Sequence, residues 1–297
     1  MDFDQLMFKP GFLSGQRILV TGGGTGLGKE MATALSALGA HVYICGRRTG
    51  VLQETAGEIA QATSGTVSGV GCDIRSSESI DAMLNEIWTD GGALTGLINN
   101  AAGNFISRTQ DLSIRGFDAI ANIVMRGTFD VTHNAGKRWI AEGVPASVVS
   151  IVVTWVWNGS PFVVPSAMSK SALRAMTQSL AVEWGGHGIR LNAIAPGIFP
   201  TEGATKRLAP GAENPYEDMS GNPMGRTGHM HELANLATFL LGPGAEYLNG
   251  QTIAIDGGEY LATGGNFSFL RQWTDQNWAD ARAAIEKTHS EDRKKRD

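Results

Sequence analysis

Only two cysteines, Cys45 and Cys72, occur among 297 residues, and each closes an apolar, strand-like run. Two buried, reduced thiols fit that placement better than a disulfide or a metal site. Positive charge is also scarce. Lysine and arginine total 24 against 29 aspartates and glutamates, a net charge of −5, so the broad basic field that draws a protein onto nucleic acid is missing. No run of about 18 apolar residues occurs, which argues against a membrane span. The chain opens on Met1-Asp2-Phe3-Asp4, acidic where a targeting segment would be basic, and a soluble, cytoplasmic protein is expected.

Glycine is plentiful instead, at 39 of 297 residues, with no Gly-x-y period, so collagen is excluded and backbone-led ligand loops become attractive. With 42% hydrophobic and 18% charged residues, the chain carries enough apolar material for one large α/β domain spanning 1–297.

Short apolar runs alternate with helix-length patterns. Seven strands are expected at Arg17–Val20, His41–Cys45, Val67–Asp73, Leu94–Asn99, Ser147–Thr154, Ile189–Ala195 and Thr252–Asp256. Between them, Leu27–Leu38, Val51–Ala62, Ser77–Trp88, Phe117–Ala141 and Ser166–Trp184 read as helices. Strand and helix in turn predict a Rossmann-like, doubly wound parallel sheet with helices on both faces. Residues 196–228 break the alternation with five prolines and scattered glycines, the composition of a substrate lid. A tail helix is expected over 273–287, and the charged Ser290–Asp297 should fray.

Directly after the first strand comes Thr21-Gly22-Gly23-Gly24-Thr25-Gly26-Leu27-Gly28. A dinucleotide pyrophosphate needs backbone without side chains in its way and the N–H groups of a helix N-terminus, so this turn reads as a cofactor cradle rather than a merely flexible loop. After the second strand, where an NAD site usually has a carboxylate, stand Gly46-Arg47-Arg48. Guanidinium groups suit a 2′-phosphate, so the expected cofactor is NADPH, with Lys29 as a further positive charge. Asp73 ends the third strand, with Ile74 directly after it, and Asn99, Asn100 and Ala101 end the fourth, at the sheet edge where such folds hold ligands.

Together with Lys170 and Pro196-Gly197, these motifs resemble the short-chain dehydrogenase/reductase family over nearly the whole chain. The resemblance implies a homodimer or homotetramer that moves hydride between a nicotinamide cofactor and a carbonyl, alcohol or activated double bond. It adds Ile198 and Thr201 to the expected cofactor contacts. The family's Tyr-x-x-x-Lys pair reads here as Ser166-Ala167-Met168-Ser169-Lys170, and Val124 stands where an asparagine is usual. An aliphatic hydroxyl holds its proton far more tightly than a phenol does.

Serine at this place resembles the 2,4-dienoyl-CoA reductase branch, as do Asn99–Ser107, Phe162–Ala167 and Glu232–Leu236. In that branch a conjugated acyl-CoA receives hydride and forms a dienolate, and hydrogen bonds to the thioester oxygen matter more than a strong acid. Lys170, Ser166 and Asn104 are the implied catalytic residues. Where the branch has a phenol, eleven residues before the serine, this chain has Trp155, and Arg126 replaces another of its donors. Trp155 reads as pocket wall beside Trp157 and Phe162, or as a substitute donor through its indole N–H. Two other readings stay open: carbonyl reduction with a different acid, such as Tyr216, and a cofactor-binding protein with little catalysis.

Overall fold

The computed structural model describes residues 1–203, 216–263 and 267–294. Seven strands form one parallel sheet: β1 (Arg17–Thr21), β2 (His41–Gly46), β3 (Val67–Gly71), β4 (Gly96–Asn99), β5 (Ala146–Ile151), β6 (Ile189–Pro196) and β7 (Thr252–Ile255). Their spatial order is β3-β2-β1-β4-β5-β6-β7, every pairing parallel. Ile18, Leu19 and Val20 of β1 are each at most 1% exposed, because a sheet wound by crossovers is covered on both faces and its strands become continuously apolar.

Alternate strand residues feed two cores. Ile18, Val20, Val42 and Ile44 pack under α1 (Gly26–Ala37) and α2 (Thr49–Thr63), whereas Leu19, Tyr43, Cys45 and Leu97 face the opposite layer. That layer contains α3 (Ser77–Gly91), α4 (Ile114–Ala121), α5 (Thr128–Glu142) and α7 (Val164–Trp184), the last preceded by the one-turn α6 (Trp155–Asn158). Both cysteines are buried and free.

The expected helix over 117–141 is real but interrupted. Asn122–Gly127 forms a π turn between α4 and α5, one of the single-turn bulges that mark functional segments. The fifth strand stops at Ile151 rather than Thr154, because Thr154 already caps α6. Helix α8 (Met230–Leu241) completes the first layer, packing on α1. Beyond β7 lie α9 (Glu259–Ala262) and the tail helix α10 (Asp275–Lys294). The helix thus runs to Lys294, through most of the stretch expected to fray. Among the described residues, no helix is long and apolar enough to cross a membrane.

Strand order reverses between β1 and β4, so the connections leaving these neighbours diverge and leave a crevice at the carboxyl edge of the sheet. The glycine turn and Asn99–Ala101 border that crevice.

Candidate active site

The crevice is built first from backbone. Gly22 has φ +66° and Gly26 φ +56°, left-handed conformations that glycine adopts without strain. Thr21 locks the turn: its Oγ1 accepts from the N–H groups of Asn100 and Ala101, each at 3.0 Å. Asn100 Nδ2 returns a bond to the Thr21 carbonyl at 3.0 Å and another to the Gly22 carbonyl at 3.2 Å. The amide of Asn99 is likewise turned inward, donating to Thr132 Oγ1 at 2.8 Å. Both asparagine amides therefore hold the frame. Thr21, quoted in the sequence motif but given no role there, is the linchpin of the turn, and its place directly before the glycines was the available signal.

Helix α1 begins at this turn with no side-chain cap from Thr25 and no acid in its first turn. Leu27 and Gly28 stand in that first turn. Uncapped N–H groups without a nearby carboxylate are a ready receptor for an anion. Thr201, just past β6, approaches from the far side: a Cβ added to Gly26 would lie 3.5 Å from the Thr201 methyl. Pro196 ends β6, the Gly197 N–H donates to the Ile255 carbonyl at 3.0 Å, and Ile198 lines a small cleft with Asn222, Asp256 and Gly257.

Arg47 and Arg48 are exposed at the end of β2, and Arg48 leads into α2. Asp73 follows β3, with its carboxylate gripped by Arg75 through Nε at 2.9 Å and Nη2 at 2.5 Å. Arg75, with Arg47 more remotely, holds the Asp73 carboxyl below the usual carboxylate range. Arg75 is a third arginine here that the sequence reading did not name. Ile74 is buried, and its carbonyl lies 2.7 Å from where a Gly127 Cβ would be, so it fastens the π turn to this edge. Lys29 is paired with Glu58 at 2.5 Å, which balances the charge expected to serve a phosphate.

At the other end of the crevice, Ser166 and Lys170 lie one turn apart on α7, 4% and 5% exposed. Lys170 Nζ donates to the carbonyl of Ile151, the last residue of β5. Burial alone pushes the Lys170 amine down to about 8. Asn104 is half-buried, and its Oδ1 accepts the Phe105 N–H at 2.9 Å, with Nδ2 unpartnered among the described residues.

A family model described as enoyl-(acyl carrier protein) reductase matches residues 22–259. The chain belongs to the short-chain dehydrogenase/reductase family. Among the relatives of this short-chain dehydrogenase/reductase, a probable (3E)-enoyl-CoA-producing 2,4-dienoyl-CoA reductase of Caenorhabditis elegans is 40% identical over 284 residues, covering 94% of this chain and 92% of the relative. A probable (2E)-enoyl-CoA-producing 2,4-dienoyl-CoA reductase of Bacillus subtilis is 39% identical over 245 residues, 82% of this chain and 96% of the relative. The crystal structure of a short chain dehydrogenase from Bacillus anthracis superposes with a TM-score of 0.74 at 40% identity, covering 82% of this chain and 96% of that one.

The family uses a nicotinamide cofactor, and the uncapped α1 N-terminus, the bare glycine turn and the exposed arginines suit one. Trp155 is half-buried at the start of α6, and Trp157 stacks on Tyr260 with centroids 4.7 Å apart. Val124 is fully buried in a third core cluster with Ile120, Val152 and Leu173, so its side chain serves packing. Arg126 is exposed, 4.0 Å from Asp130. No cluster of three or more metal-ligating side chains exists among the described residues.

Proposed function

We propose that this chain is an NADPH-dependent reductase of 2,4-dienoyl-CoA thioesters. The observation that carries the reading is the Ser166–Lys170 pair: a buried hydroxyl and a buried amine on one helix face, with serine where a phenolic acid would serve ordinary ketone reduction. Relatives named as 2,4-dienoyl-CoA reductases, matching over most of the chain, support it.

In this reading the α1 N-terminus receives the pyrophosphate, and Arg47 and Arg48 pair with the 2′-phosphate. Asp73, Ile74, Asn100 and Ala101 border the adenosine, while Pro196, Gly197, Ile198 and Thr201 border the nicotinamide end. NADPH, when bound, supplies the hydride. Lys170 holds the ribose hydroxyls, and its ammonium favours negative charge developing nearby. Ser166 Oγ and Asn104 Nδ2 donate hydrogen bonds to the thioester oxygen as the dienolate forms, the kind of preorganised donation worth a few kcal/mol per group. Trp155 forms the wall beside them, the proton reaches carbon from water, and the described part of the expected lid, 216–228, borders the acyl-CoA, residues 204–215 lying outside the described residues. The working particle is a homodimer or homotetramer in the cytoplasm.

The test is NADPH oxidation with a 2,4-dienoyl-CoA measured beside a 3-oxoacyl-CoA and a simple ketone. Preference for the dienoyl thioester is expected, and equal or reversed preference overturns the assignment. The same assay with NADH should be much slower, and equal rates would remove the 2′-phosphate role of the two arginines.

A further inference from the structure

The positions at 155 and 166 carry no phenol, yet four tyrosines are present. Tyr43 lies near the amino edge of the sheet and is spent on Arg17 and Asp90, donating to Asp90 Oδ2 at 2.5 Å. Tyr247 is fully exposed in the connection that enters β7 from that same edge. Tyr260 follows the carboxyl end of β7, on the edge where Lys170 reaches the end of β5.

Tyr260 is held from three sides. Its backbone N–H donates to Asp256 Oδ2 at 2.8 Å, and the other oxygen of Asp256 takes the Gly258 N–H at 2.9 Å. Buried Asn222 fastens this turn to the segment after residue 216, donating to the Asp256 carbonyl at 2.8 Å and to Glu259 Oε2 at 3.3 Å. The ring lies on Trp157 at 4.7 Å and an interplanar angle of 21°. Trp157 is gripped in turn: the Arg174 guanidinium stands 5.6 Å from its ring centroid, and Arg174 Nη1 donates to the Val156 carbonyl at 3.5 Å. Arg174 is one turn beyond Lys170 on α7, and Trp157 is two residues beyond Trp155. The phenol is half-buried, and its hydroxyl makes no hydrogen bond among the described residues. A phenol fixed in place by its backbone and its ring, with a hydroxyl unpartnered among the described residues, is an available donor.

We infer that Tyr260, carried in by the C-terminal segment, is the substrate-facing phenol of this site and donates a hydrogen bond to the thioester oxygen of the bound acyl-CoA. This deepens the dienoyl-CoA reading and rests on it. The phenol keeps its proton throughout; hydride forms the new C–H bond at the far end of the diene, and the hydroxyl stabilises the oxygen on which the negative charge collects.

Tyr260→Phe tests this, because it keeps the ring and its stack on Trp157 and removes one oxygen. Stopped-flow NADPH oxidation with a 2,4-dienoyl-CoA is measured for the wild type, Y260F and Y216F, together with NADPH affinity from tryptophan quenching. The expected result is a fall of about 100-fold in kcat for Y260F, with NADPH affinity unchanged and any loss in Y216F far smaller. Wild-type turnover that survives intact in Y260F overturns Tyr260 alone and leaves the dienoyl reading standing. A loss in Y216F with none in Y260F transfers the role to Tyr216 and also overturns it. No dienoyl-CoA turnover by the wild type removes the reading and this inference together.

Discussion

Lys170 shows what a residue can cost the protein that needs it. An exposed lysine titrates near 10.5, and burial brings this one to about 8. The folded state therefore releases its proton in a range where the unfolded chain still holds one. Stability rises with pH wherever the unfolded state binds more protons, so this group's penalty is fully present below about 8 and disappears as pH climbs to 10.5. The difference amounts to about 3 kcal/mol over that window. Urea unfolding of the wild type and Lys170→Met at pH 7 and pH 10 should show the wild type gaining on the variant by that order. Parallel pH curves would mean that the amine is not buried as described.

At the scale of elements, the glycine turn and α1 depend on one close approach. A Cβ on Gly28 would lie 2.5 Å from Asn100 Nδ2 and 2.5 Å from the Gly22 carbonyl oxygen. The amide can swing aside, but the backbone oxygen cannot. Gly28→Ala should destabilise by about 1–3 kcal/mol, as overpacking in a tight site does, and weaken binding of the nicotinamide cofactor by distorting the cradle. Thermal melts with and without NADPH would read both effects, and an unchanged melting temperature would count against so close a fit.

Legibility followed the same physical lines. Strands β1, β2 and β7 have short apolar interiors bounded by glycine or polar residues, so their positions could be read to within a residue. The π turn was not legible, because one surplus residue leaves no mark on the period of a six-residue stretch. Helix α6 continues the apolar run of β5 and is a single turn, too short to impose a helical pattern. Helix α8 begins at His229, an uncommon cap, although Glu232 completes a capping box with it. Motif residues at strand ends were readable, but their division of labour was not. Asn100 turns its amide into the frame and Lys29 is paired across to α2, and such choices depend on partners distant in sequence.

Across the whole molecule, the chain's beginning is tied to its last large sheet-covering helix. Asn235 of α8 accepts the Met7 N–H at 3.0 Å and donates to the Gln5 carbonyl at 3.0 Å, while Leu6, Phe8 and Phe12 pack against the core. A single amide thus fixes the N-terminal strap over the first layer. Asn235→Ala should cost about 1–2 kcal/mol, since the freed backbone groups can reach water. It should also make the first eight residues readily cleaved by protease. Unchanged proteolysis would show that the apolar contacts alone hold the strap.

The bulge at 122–127 has a reach greater than its size. Each helical residue advances the spiral by about 100° and 1.5 Å, so excising one residue there would restore an unbroken coil while swivelling α4 by more than a quarter turn against α5. Ile120 would leave the packed interior it shares with Val124 and Leu173. Gly116, whose absent side chain makes room for the Phe105 ring, would swing away from it. The orientation of Asn104, one residue before that ring, therefore hangs on an odd amino acid in a neighbouring spiral, and a chain trimmed by that one residue would keep its helix while losing the aim of its amide.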